Sequence, residues 1–89
     1  MSRRLGLDVD QMTTLVRTLK TEADQLEATI KAVTAKVREV WWEGPDATRF
    51  KGTDWVAHAK SLTAAATSLR SAATSAEKQV QEQVSASSR

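Results

Sequence analysis

One line of apolar residues constrains this chain more than any other feature. Val9, Met12, Val16, Leu19, Ala23, Leu26, Ile30, Val33, Val37 and Val40 follow one another in alternating steps of three and four. That spacing returns to one face of an α-helix, as a heptad a/d pattern does. No glycine or proline interrupts it between Leu7 and Trp42. Asp8 is placed to cap the start, with Gln11 three residues later as in a capping box. Leu7 and Met12 occupy the two positions of a hydrophobic staple. Leu15, Ala28 and Ala32 lie beside the seam. Arg17, Lys20, Glu22, Asp24, Glu27, Lys31 and Arg38 cover the opposite face and read as a solvent coat. Glu22, Asp24 and Glu27 have Lys20 and Lys31 around them, so ordinary pairing on the helix surface explains them better than a carboxylate site.

The next feature is the break. Gly44 leaves the helical region without steric cost, and Pro45 lacks the N–H that a continuing helix needs. Pro45 also suits the first position of a new helix, with Asp46 in its positive first turn. A second, thinner seam follows: Ala47, Phe50, Trp55, Leu62, Ala65, Leu69, Ala72, Ala76 and Val80. Gly52 is the one interruption, at about 1 kcal/mol relative to alanine, which a packed helix tolerates. The pattern predicts an all-α chain: helix 1 over about 8–42, a turn at 43–45, and helix 2 over about 46–84. Residues 1–6 and the serine-rich tail 85–89 are expected to be disordered. So short a turn makes the helices antiparallel neighbours.

Such a hairpin is a rod of roughly 50 Å per helix, at about 1.5 Å per residue, and leaves both seams half wet. Domains this small ordinarily need disulfides, metal or oligomerisation. There is no cysteine and a single histidine, His58. A second hairpin completing a four-helix bundle is the solution left, with itself or another chain as partner. The 13 basic and 11 acidic residues give a net charge of +2 and are well mixed, which argues against a nucleic-acid footprint. No apolar run approaches the about 20 residues of a membrane span. Arg3-Arg4 superficially looks like a twin-arginine leader, but Asp8 and Asp10 stand where its apolar stretch belongs. Export, if it occurs, is expected without a cleavable leader. Nothing pairs a nucleophile with a base, gathers metal ligands or forms a phosphate loop, so no catalytic, cofactor or metal site is expected.

Trp42-Glu43-Gly44 between two long helices, followed by Ala47, Phe50 and Trp55, resembles the WXG family, the early-secreted-antigen-like proteins of type VII secretion. The resemblance spans nearly the whole chain. The family reads Trp-x-Gly, then small residues, then Phe about six positions after the glycine, where Phe50 stands. It implies a helical hairpin that dimerises into a four-helix bundle and is exported folded by a membrane-embedded ATPase machine. It implies a secreted effector, a component of the machine, or an adaptor carrying a larger toxin. The family's Tyr-x-x-x-Asp/Glu export signal is missing, because the chain has no tyrosine. The simplest reconciliation is a signal-less partner in a heterodimer; a homodimer with a degenerate signal is the alternative. A purely structural coiled-coil dimer with an accidental Trp-x-Gly is a third reading.

Within that frame Trp42 and Gly44 are the motif residues at the turn. Trp42 is expected to plug the bundle end, to form part of a surface read by the secretion ATPase, or to do both. Trp41, adjacent, points about 100° away around a helix and is expected to be part exposed or against the partner. Phe50 and Trp55 are expected in the core. His58 falls on the second seam, where a packed or boundary histidine is a plainer reading than a pH switch.

Overall fold

The computed structural model describes residues 6–87, and all its regular elements are helical. Helix α1 (Val9–Glu39) runs out, and a second arm returns as α2 (Pro45–Arg49), a π-helical turn (Phe50–Asp54) and α3 (Trp55–Ser87). Cross-arm contacts show the antiparallel order: Lys20 meets Glu77, Asp24 and Glu27 meet Arg70, and Thr34 meets Trp55. The hairpin is a rod with extents of 67 × 17 × 13 Å. The expectations on residues 1–5 and 88–89 fall outside the described residues.

The start of α1 forms as its sequence directs. Asp8 Oδ1 accepts a 3.0 Å hydrogen bond from the Gln11 backbone N–H, satisfying one of the unpaired donors of the first turn. Leu7 and Met12 are both half-buried. Asp8→Ala is therefore expected to cost about 1 kcal/mol, measured as a lower thermal midpoint without loss of helicity.

The far end departs from expectation. The helix stops at Glu39, short of Trp42, and Val40 takes up extended backbone with φ −64° and ψ 131°. Val-Trp-Trp is a run of β-branched and aromatic residues with weak helix preference. Leaving the helix there lets Trp42 swing onto Phe50, while Lys51 Nζ donates to the freed Val40 carbonyl at 3.0 Å. At the other terminus α3 runs on to Ser87 instead of ending near Val84. No glycine or proline follows Val84, so nothing stops the backbone ladder there.

The arms meet along a narrow line. Val16 and Ala23 from α1, with Ala66 and Ala73 from α3, are buried; Ala47 in α2 is also buried. Alanine at these points lets two helices approach closely. Met12, Leu19, Leu26, Ile30 and Val37 are half-buried around them, as are Val9, Leu62 and Leu69. None of the described large side chains is fully buried, so the contact is a seam without an interior.

Two details of the seams differ from the sequence reading. Val33 and Val40 are exposed, and Thr34 faces the second arm instead. A straight helix drifts about 20° per heptad against a strict seven-residue repeat. The line Met12, Leu19, Leu26, Val33 therefore slides off the contact by its last member, and Val40 lies past the end of the helix in extended backbone. In α3, Ala65 and Ala72 are exposed while their neighbours Ala66 and Ala73 are buried. His58 is likewise exposed, and Ala59 takes the inner position. The actual inner line is Trp55, Ala59, Leu62, Ala66, Leu69, Ala73, Ala76, Val80. Where alanines stand side by side, spacing alone does not say which one faces in.

Candidate functional site

The turn end concentrates the chain's aromatic residues. Gly44 sits at φ 114° and ψ 175°, a region that only glycine occupies readily. A Cβ added there would meet nothing within 4 Å, so the requirement is purely one of backbone conformation. The Gly44 carbonyl then accepts from both the backbone N–H and the hydroxyl of Thr48, at 3.0 and 3.2 Å, which closes the first turn of α2. Pro45 opens that helix, and Asp46 in its first turn pairs with Arg49 at 3.2 Å.

The π turn is what brings the motif's aromatic residues into line. Phe50 and Trp55 are five residues apart, which on a regular α-helix would point them about 140° from each other. The Trp55 N–H instead bonds back to the Phe50 carbonyl, and one extra residue is absorbed in the turn. Ala47 is buried and Phe50 half-buried there, with Phe50 against Trp42. Gly52 lies within this turn and is exposed.

Three indoles result in three different environments. Trp55 is half-buried, and its Nε1–H donates to Thr34 Oγ1 at 3.0 Å. Trp42 packs on Phe50 with ring centroids 5.6 Å apart and planes at 45°, yet remains 41 % exposed. Trp41 is 85 % exposed, with Val40 beside it also exposed. Trp42 thus covers Phe50 from outside and does not plug the end of the hairpin. An indole left almost wholly in water at the tip of a rod is the kind of apolar feature that marks a contact site.

Along the rod, charge is distributed unevenly. Arg70 Nη2 donates to Asp24 Oδ1 and Glu27 Oε1, both at 2.6 Å, and Lys20 Nζ reaches Glu77 at 3.1 Å. Asp24 and Glu27 of α1 are therefore bridged across the arms by Arg70, not by the lysines of their own helix. Hydrogen bonding to Asp24, and then to Glu27, raises the Arg70 pKa further above its ordinary value. The guanidinium is charged at every pH the fold would meet. An open groove on this ion-paired side, near the turn, is lined by Thr34, Trp55, Val56, Ala59 and Thr63. His58 stands apart from it, exposed on α3.

Among the described residues no group of His, Asp and Glu is placed to hold a metal ion, and no helix is long and apolar enough to cross a membrane. Compared with family models, curated proteins and solved structures, the chain finds no match.

Proposed function

We propose that this chain is a small interaction protein of the type VII secretion kind. It acts through pairing of helices with a second hairpin and through recognition at its turn. The observation that carries this reading is the build of Trp42-Glu43-Gly44. Gly44 holds a backbone conformation that glycine alone takes readily, Trp42 rests on Phe50, and Trp41 stands in water at one end of a 67 Å rod. A turn whose sole task was to connect two helices would be expected to carry small polar residues. Two adjacent indoles kept at the surface support recognition by another protein, for which the secretion ATPase is the candidate. The chain then travels the type VII route out of the cytoplasm. It has no catalytic role and needs no cofactor.

The missing tyrosine signal favours a second form of the same reading. In that form the chain is an adaptor that pairs with the helical N-terminus of a larger exported toxin and borrows its signal.

Trp42→Ala tests the turn. If the indole is read by the machine, export from a host carrying the secretion genes falls sharply while the melting curve moves little. The small shift follows from Trp42 being only part covered, so that truncation loses contact with one ring. A protein exported at the wild-type level would count against recognition at Trp42. Parallel loss of export and fold would assign the indole to structure.

A further inference from the structure

The ion-paired flank of the rod changes character toward the turn. From Ala28 to Arg38, α1 has Lys31, Lys36 and Arg38 and no acidic residue. From Trp55 to Ala76, α3 has Lys60 and Arg70 and no acidic residue. Arg70 is taken up by Asp24 and Glu27. Lys31, Arg38 and Lys60 are exposed and make no ion pair among the described residues.

These three cations surround the groove of Trp55. Lys60 lines it together with Thr34, Trp55, Val56 and Ala59. Lys31 borders Thr63, which the groove shares with the next hollow along the flank. Lys31 also follows Glu27 by one helical turn, on the side that Glu27 turns to Arg70. Arg38 stands seven residues past Lys31 and four past Thr34, so it returns to that side. The Thr34–Trp55 and Glu27–Arg70 bonds fix the levels of the two arms. Lys60 lies between these levels on α3, as Lys31 does on α1, and Arg38 lies nearer the turn. The groove therefore has two lysines at one end, an arginine at the other, and Trp55, Val56 and Ala59 between them.

We infer that this groove binds a short extended segment of another protein, in which two apolar side chains stand between acidic ones. The site lies apart from the indoles of the tip, and it stands whether or not the chain is exported. Lys31 and Arg38 are about 10 Å apart along α1, at ~1.5 Å per residue. Three residues of extended chain span that distance, at ~3.3 Å each. An acid–x–x–acid spacing thus meets both ends with charge-assisted hydrogen bonds and lays its apolar pair over Trp55 and the exposed Val56. The Arg70 bridges close the flank beyond Thr63. The open stretch from Arg38 to Glu27 is then roughly 16 Å, the reach of about five extended residues and too short to seat a long helix. A fatty acid carries its charge at one end only and would leave the cations of the other end unmatched.

Isothermal titration of the full chain with the acetylated hexapeptide Asp-Glu-Leu-Leu-Glu-Asp tests the site. One site per chain with a Kd of roughly 10–100 μM is expected, weakening as salt rises because exposed charges are screened. Lys31→Glu and Arg38→Glu should each weaken binding at least about tenfold, the scale of a reversed charge in a contact. Lys36→Glu, equally exposed but about 140° around α1 from Lys31, should leave it within about twofold. The peptide Leu-Glu-Asp-Asp-Glu-Leu, of the same composition, should bind at least about tenfold more weakly, because its apolar residues no longer lie between the acids. Far-UV circular dichroism of each variant confirms that the helices remain.

No binding of the hexapeptide up to about 1 mM overturns the proposal, as does a Lys36→Glu effect equal to that of Lys31→Glu. Equal binding of the two peptides reduces the site to bulk charge attraction and overturns the apolar anchor. Co-sedimentation with phosphatidylglycerol vesicles that Lys31→Glu abolishes, without hexapeptide binding, assigns the flank to a membrane surface and overturns the peptide partner.

Discussion

Ala73→Leu is expected to destabilise the hairpin by about 1–3 kcal/mol, the usual cost of forcing extra methylenes into a close contact. Ala73 is 1 % exposed, and α1 lies directly against it. A leucine there must push the arms apart or rotate α3, and either movement pulls Val16 and Ala23 away from their partners. The same leucine at Ala57, exposed on the outer side of α3, meets no opposing helix and should move stability by no more than about 0.5 kcal/mol. Urea titration followed by circular dichroism reads both. In a chain of this size each kcal/mol also shifts the thermal midpoint by about 4–8 °C. Equal effects at the two positions would mean that the arms do not touch along the Ala66–Ala73 line.

Gly44→Ala is expected to cost about 1–3 kcal/mol, because φ 114° with ψ 175° is strained for any L side chain. No neighbour stands within 4 Å of the added carbon, so the loss isolates backbone strain from crowding. Gly52→Ala supplies the opposite sign. Gly52 has no positive φ and open space around it. Alanine there should stabilise by about 0.4–1 kcal/mol through a less flexible unfolded chain. If Gly44→Ala were as benign as Gly52→Ala, the turn would have another conformation than the one described. The Gly44 variant also bears on function. Moving the turn moves Trp42 off Phe50, so export should fall together with stability, unlike the Trp42→Ala case.

Much of the architecture was legible from local signals. The alternating steps of the α1 seam, the Asp8 cap and the Gly44-Pro45 break each act over a few residues, and each is found where the residues place it. The end of α1 was less legible. Val40, Trp41 and Trp42 continue the apolar pattern, yet they leave the helix, where Trp42 packs on Phe50 and Lys51 takes the Val40 carbonyl. The π turn was foreshadowed by the five-residue gap between Phe50 and Trp55, a spacing that no regular helix brings to one side. Read against Gly52, that gap was a usable signal.

What the sequence determined by itself was two helices, one glycine-dependent turn and a deficit of apolar burial, because these depend on periodicity, backbone chemistry and chain length. What only the tertiary structure decided was rotation. Which alanine of an adjacent pair faces inward, and where the drifting valines end up, depends on how one arm seats against the other. The same holds for Arg70 reaching across to Asp24 and Glu27. Rotation of a helix about its own axis changes no local hydrogen bond, so local sequence exerts little control over it. The mutual fit of two seams sets it, and that fit brings the charge bridges of Arg70 and Lys20 to one flank.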